Sequence, residues 1–257
     1  SALLLASGAG LIAELGGSLD RLFENAATPH FVQMHTGEID PARIEAWGEA
    51  HNLVENTQIV TMIAIDGSSL FLPDSESSEA GSIMDVGVLA QNKRFDYLLG
   101  QDGAVARVEA GTIGVPVYYA AEKGVRKGDV VTLTSDGFSR SFNVSAIIRD
   151  SQMNPAIVHS KRFLVHPDDY RELREQFPDT EYLIEFRLAD PSRIDAFAAE
   201  YERSGLPSSG TAVDRQLFRL LNGVSSGIVA MVVMILSLLL MLIAILCLRF
   251  TILATIE

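Results

Sequence analysis

The residues with the means to do chemistry are five histidines, one cysteine and a large set of carboxylates. His30, His35 and Glu38 have the side-chain types of a metal site. Strand spacing from 30 to 35 puts the two rings on opposite faces, so these three read as ordinary polar residues and no bound metal is expected. His166, Asp168 and Asp169 stand at a helix start, where acids complement the dipole without further purpose. Ser160-Lys161-Arg162 reads as a small, solvated basic patch. The sequence contains no GxxxxGK[ST], HExxH, CxxC or GxSxG motif, which excludes ATP hydrolysis by the P-loop route and leaves no catalytic set. Gly8-Ala-Gly10-Leu-Ile-Ala13 approximates a dinucleotide fingerprint after Leu3-Leu4-Leu5. The next strand ends in Met34-His35 with no acid for a ribose, so no cofactor is expected and the chain does not read as an enzyme.

The elements that must hold these residues are organised by a division of charge. The 257 residues carry a formal net charge of −13, yet hydrophobic types make up 48% of the chain. The two facts agree because they occupy different stretches: the acids run from Glu14 to Asp214, with only Glu257 beyond. The acidic balance argues against nucleic acid and against adsorption to anionic lipid, both of which need basic clusters. Cys247, the only cysteine, lies in an apolar run, so the polar region must be held together by its core rather than by disulfides.

From Gly223 to Leu248 there is no charged residue. As a helix these residues would reach about 39 Å, more than a ~30 Å hydrocarbon core, and the stretch is apolar on every face. It is expected to span the lipid bilayer. At its outer edge Gly223-Val-Ser-Ser-Gly227 is either a close-packing face for another helix, through Gly223 and Gly227, or a glycine-loosened start of the helix. Ala2–Ala13 is also uncharged and about half a span long; it is expected to be the outer end of a first membrane helix. Leu15, Leu19, Leu22 and Phe23 then continue at helical spacing as a stalk.

Between the two runs the pattern is α+β. Phe31–Met34 reads as a strand and Asp40-Pro41 as a capped helix start. Gln58–Ile65 reads as a strand whose hairpin partner, across Asp66-Gly67, would be Ser69–Leu72. A second hairpin turns at Asp136-Gly137 into an alternating strand with Phe142, Val144, Ala146 and Ile148 on one face. Phe163–Val165, a helix from Pro167, the strand Tyr182–Leu188 and a helix from Asp190-Pro191 come next. On that last strand Glu185 and Arg187 face away from the apolar residues. Asp40-Pro-Ala-Arg-Ile-Glu-Ala-Trp47 and Asp190-Pro-Ser-Arg-Ile-Asp-Ala-Phe197 match in type at all eight positions, as two related strand–helix units would. The expected division is stalk and first helix over 1–26, α/β parts over 27–80 and 159–213, a β-rich insertion over 81–158, and stalk plus second membrane helix over 214–257.

This order of elements resembles the FtsX/MacB-type ABC transporter permeases. Leu248-Arg-Phe-Thr-Ile-Leu-Ala-Thr-Ile-Glu257 is similar to the cytoplasmic end of that family's second membrane helix, which runs on into an I-E-x-x-x-R-E-I-G coupling segment. Val125-Arg-Lys-Gly-Asp-Val-Val-Thr-Leu133 resembles its GD-x-[VL]-x-[LV] strand opening. Ser151-Gln-Met-Asn154 and Ser160-Lys-Arg-Phe163 are similar to a Gram-positive, antimicrobial-peptide-exporter-like subgroup. The resemblance implies a MacB-like periplasmic-core-type domain: an α/β porter-like subdomain with an inserted β-rich subdomain, flanked by transmembrane helices. It implies a cell-membrane protein with residues from about 14 to 220 outside the cytoplasm. It also implies a separate ABC ATPase partner coupled through Arg249, Ile256 and Glu257, a homodimeric or heterodimeric permease, and an extracytoplasmic client. Family members have four membrane helices, so the sequence is expected to be a piece of a longer permease. The rival expectation from the same layout is the extracellular sensor domain of a membrane-anchored receptor. Two further membrane helices after Glu257 would mark the permease, and a soluble signalling domain there would mark the receptor.

Overall fold

The computed structural model describes residues 16–73, 75, 77–223, 235, 236, 239, 242 and 243. Its centre is one mixed sheet of eleven strands in the order β11-β1-β10-β2-β4-β9-β6-β8-β7-β3, with β5 (Leu99–Gly100) paired to β8. At one end β11 (Ala212–Asp214), β1 (Phe31–Thr36), β10 (Thr180–Leu188) and β2 (Val54–Ile65) are antiparallel. β4 (Asp85–Ala90) continues from β2 and runs parallel to β9 (Ser160–Val165). Beyond it lie β6 (Thr112–Pro116), β8 (Phe138–Arg149), β7 (Val130–Ser135) and β3 (Leu70–Phe71).

Both faces of the sheet are covered, so its central strands read as continuous apolar runs. One face carries Phe31, Ile184 and Phe186 under α2 (Pro41–Ala50) and α5 (Ile194–Arg203). Further along, the same face carries Ile63, Val88 and Phe163 beside α3 (Val117–Glu122) and α4 (Pro167–Gln176). The opposite face carries Val32, Val60, Leu183 and Leu164 against Leu22 and Phe23 of a helix over 16–25 (α1) and Phe218 of a helix over 215–223 (α6).

The eight-residue echo is realised in space. Asp40 and Asp190 both cap their helices, accepting from the amides of Arg43 and Ser192. Their strands β1 and β10 are neighbours, and the matching aromatics Trp47 and Phe197 meet with ring centroids 5.7 Å apart. The second unit opens with a 3-10 turn, Pro191–Arg193, before α5.

Three expectations are corrected. Ser69–Leu72 does not fold back on β2: the Asp66 side chain accepts from the Ser68 amide and closes a 3-10 turn, β4 takes the edge at Ile63–Ile65, and β3 pairs with β7. In β8 the alternation breaks at Ser145, where the register against β6 shifts; Ile147 therefore joins Phe142 and Val144, while Ala146 and Ile148 turn to the opposite face. Lys161 and Arg162 are not solvated: they lie in the central strand β9, with 0% and 1% exposure.

The membrane-helix expectations for Ala2–Ala13 and for the run after Gly223 fall outside the described residues, apart from five positions in the second run. Among the described residues no helix is long and apolar enough to cross a membrane. Ile235, Leu236, Leu239, Leu242 and Ile243 are helical, with side chains about half exposed or more.

Candidate functional site

Strand parity builds the site. Along β9 Phe163 and Val165 point to the α3/α4 face, so Arg162 and Leu164 point to the face under α1 and α6. The same parity puts Glu185 of β10 beside Leu183, and Gln58 of β2 beside Val60, on that face. Asp150 lies just past Ile148 off the end of β8, and Asp96 comes down from the loop between β4 and β5. Five polar side chains thus meet inside an apolar layer.

Arg162 is the hub. Its guanidinium donates to Asp150 through Nε and Nη2, each at 2.6 Å, and to Asp96 through Nη1 at 2.5 Å and Nη2 at 3.1 Å. Burial works against each charge, but the paired carboxylates hold Arg162 firmly protonated. Burial likewise opposes the Asp150 charge, yet Arg162 and the amides of Gln152 and Met153 bring its carboxyl below the usual range. Glu185 takes the other course. Burial first, and then the charge of Asp96, push its carboxyl well above the ordinary value despite Arg162. It sits between the amide nitrogens of Gln58 at 3.0 Å and Gln152 at 2.8 Å. On the opposite face of β9, Lys161 donates to the carbonyls of Met153, Pro155 and Val158 and lies 5.1 Å from the Tyr118 ring centroid. Burial lowers its pKa to about 8, with Asp150 opposing. With Glu185 neutral, two cations balance two carboxylates, the condition under which buried charges are tolerable.

The segment 150–152 joins this network to both flanking helices. Asp150 binds Arg162, Gln152 binds Glu185, and Ser151 between them turns the other way. The Ser151 Oγ accepts from Thr28 Oγ1 at 2.7 Å, and its carbonyl accepts from Asn222 Nδ2 of α6 at 3.1 Å. The end of α1 is fixed a second time: the amides of Asp96 and Tyr97 donate to the carbonyls of Ala27 and Ala26. The two helices also touch directly, with Arg219 Nη2 2.6 Å from Asp20 Oδ1 and the Arg215 guanidinium 5.7 Å from the Phe23 ring. Ala27 (φ +47°) and Asp96 (φ +54°), the non-glycine residues in the left-handed region among those described, are both in this junction. Ala27 stands at the left-handed position that ends α1, where Thr28 N donates to Phe23 O and Ala27 N to Glu24 O. Strain of this kind costs about 1 kcal/mol and persists where surrounding contacts over-determine it.

The residues singled out from sequence are placed differently. Arg249, Ile256, Glu257 and Gly227 lie outside the described residues. Gly223 ends the described part of α6, and a Cβ built on it meets no described atom within 4 Å. His30 is buried and accepts from the Leu188 amide at 2.8 Å through Nδ1. His35 is bound to Ser209 at 3.0 Å. Among the described residues no three His, Cys, Asp or Glu side chains are arranged to hold a metal. Sequence reasoning missed the hub itself. Its signal was a Lys-Arg pair directly before a predicted strand, together with the resemblance-bearing segments Ser151–Asn154 and Ser160–Phe163, which supply Ser151, Gln152, Lys161 and Arg162.

No family model matches the chain, and no curated protein matches it. Solved structures do. The periplasmic region of MacB from Actinobacillus actinomycetemcomitans is similar at 9% identity and TM-score 0.38, over 77% of this chain and 94% of that one. A domain of a protein described as a permease from Porphyromonas gingivalis is similar at 13% identity and TM-score 0.38, over 68% and 84%. The extracellular domain of the ABC-type transporter YknZ from Gram-positive bacteria is similar at 12% identity and TM-score 0.36, over 72% and 100%. The neighbours are a periplasmic region, a permease domain and an extracellular transporter domain. Likeness this distant assigns neither family nor activity, so the functional reading rests on the residues and their contacts.

Proposed function

We propose that the chain is the extracytoplasmic part of a permease subunit of FtsX/MacB type, anchored in the membrane at both ends and moved by a separate ATPase. The observation that carries this reading is the shared anchorage of α1 and α6. Almost 200 residues apart in sequence, they touch one another, and Asn222 of α6 and Thr28, just past the end of α1, both bind Ser151 at the edge of the buried Arg162 network. In the sequence each continues into an uncharged run, Ala2–Ala13 on one side and Val224–Leu248 on the other. The exposed Ile235, Leu236, Leu239, Leu242 and Ile243 suit a helix that faces lipid.

In this scheme the ATPase acts on the cytoplasmic end near Arg249, Ile256 and Glu257, and the second helix carries the displacement outward. A shift of α6 would pull Asn222 and so Ser151. Because Asp150 and Gln152 are held on either side, the load passes to Arg162 and Glu185 in the sheet rather than into a loop. No side chain performs a bond-breaking step; the domain transmits displacement to a client. Dimerisation with another permease and the identity of the client belong to the same proposal.

The test uses a cysteine-free version of the full-length protein, with Cys247 replaced by alanine. A cysteine at the exposed Ser77 should be labelled by a membrane-impermeant thiol reagent on intact cells. Glycines inserted after Leu220 should leave ATP hydrolysis by the complex intact and abolish client handling. Labelling of Ser77 only after lysis would end the topology, and client handling that survives the insertion would end the lever.

A further inference from the structure

The open edge of β2 is a second feature that the junction does not use. β4 pairs with β2 only at Ile63–Ile65, while β10 pairs with it from Val54 to Ile63. Ala64 N donates to Asp179 O at 3.0 Å, so even-numbered residues of β2 aim their backbone groups at β10 and odd-numbered ones aim away. Among the described residues no strand pairs with the odd side between Glu55 and Thr61; the segment Gln91–Arg94, leaving β4, lines a hollow beside it. Arg94 Nη1 donates to Thr57 O and the Tyr170 hydroxyl to Thr61 O, each at 3.0 Å; neither reaches Ile59.

Above this edge is a groove made of two adjoining hollows of about 360 and 280 Å³ that share Glu45, Thr57 and Arg94. Gly48 brings α2 down onto Thr57: a Cβ there would lie 2.1 Å from Thr57 Oγ1. Thr57 is 7% exposed, and its hydroxyl has no partner among the described residues. Glu45 and Glu49 stand on the α2 side, exposed and outside every ion pair among the described residues.

We infer that this edge takes an extended segment of a partner protein with Lys or Arg at alternate positions, added as a strand beside Glu55–Thr61. In an added strand alternate side chains face the same side, so a basic set would meet Glu45 and Glu49 while the backbone pairs with Ile59. Arg94 is the guard of the edge: it occupies the Thr57 carbonyl that an incoming amide needs. A second copy of this chain fits less well, since at a net charge of −13 it would meet an acidic wall.

The full chain in detergent micelles would be titrated with fluorescein-labelled Lys-Val-Lys-Val-Lys-Val and Glu-Val-Glu-Val-Glu-Val, with hydrogen exchange monitored at the Ile59 amide. The basic peptide alone should bind and slow that amide. Glu45→Gln with Glu49→Gln should weaken it about tenfold, two charge contacts of roughly 0.7 kcal/mol each. Arg94→Ala should tighten it several-fold. Equal binding of both peptides, an unprotected Ile59, or affinity unmoved by the glutamine pair would overturn the inference. So would protection of Ile59 that grows with protein concentration without peptide, which would make the occupant a second copy.

Discussion

Replacing Arg162 by methionine keeps the length of the side chain and removes the only cation between Asp96 and Asp150. Four hydrogen bonds of 2.5 to 3.1 Å disappear, leaving two carboxylates in a layer where Arg162 itself is 1% exposed. Breaking a buried pair from one side costs about 3–5 kcal/mol, because the abandoned charge is not returned to water. Domain stabilities lie at about 5–15 kcal/mol, so the variant should be folded but marginal. With a urea m-value of about 2.5 kcal/mol per molar, the midpoint should fall by roughly 1.2–2 M. Trp47, the only tryptophan, packs 5.7 Å from the Phe186 and Phe197 rings and reports unfolding by fluorescence. Adding Asp96→Asn and Asp150→Asn should restore most of the midpoint, since a neutral network no longer needs its cation. A single variant within 0.3 M (about 0.7 kcal/mol) of the parent, or a triple variant no better than the single, would refute the account of Arg162 as the electrostatic hub.

Glu185→Gln should be nearly silent below pH 4.5, because the carboxyl is already neutral in the fold. Its raised value means that the parent loses stability as pH climbs from 4.5 through the folded pKa, and the glutamine variant should show a flatter profile there in urea titrations. Ala27→Gly should raise stability by about 0.5–1 kcal/mol by relieving the left-handed strain at the end of α1, read as a higher thermal midpoint. Burial, then Arg187 and Arg215, lower His30 to about 4 from 6.5. The unfolded chain therefore takes up the proton first as pH falls, and stability should drop between pH 6.5 and 4 by at most about 1.4 kcal/mol per pH unit. His30→Asn, which can still accept from the Leu188 amide, should lose that slope in parallel denaturation curves.

Local chemistry determined much of this protein within the sequence. Asp-Pro pairs set the starts of two helical segments, Asp136-Gly137 set a hairpin, and period-two patterning located β8 and β10, because capping, turn geometry and side-chain alternation act over a few residues. The two uncharged runs were legible for the same reason, since composition is a local property of the sequence. Burial was not legible. Lys161, Arg162 and Glu185 look solvated from their own neighbourhoods; the packing of α1, α6 and two loops encloses Arg162 and Glu185 on one face of the sheet, and the carbonyls of 153–158 with Tyr118 enclose Lys161 on the other. The false hairpin at Asp66-Gly67 has the same origin, since β2's edge was claimed by β4, a strand twenty residues further on. The junction at Ser151 could be decided only in three dimensions. It joins Thr28, Asn222, Asp96 and Arg162, which no local spacing relates, through hydrogen bonds and ion pairs that no single segment can make alone.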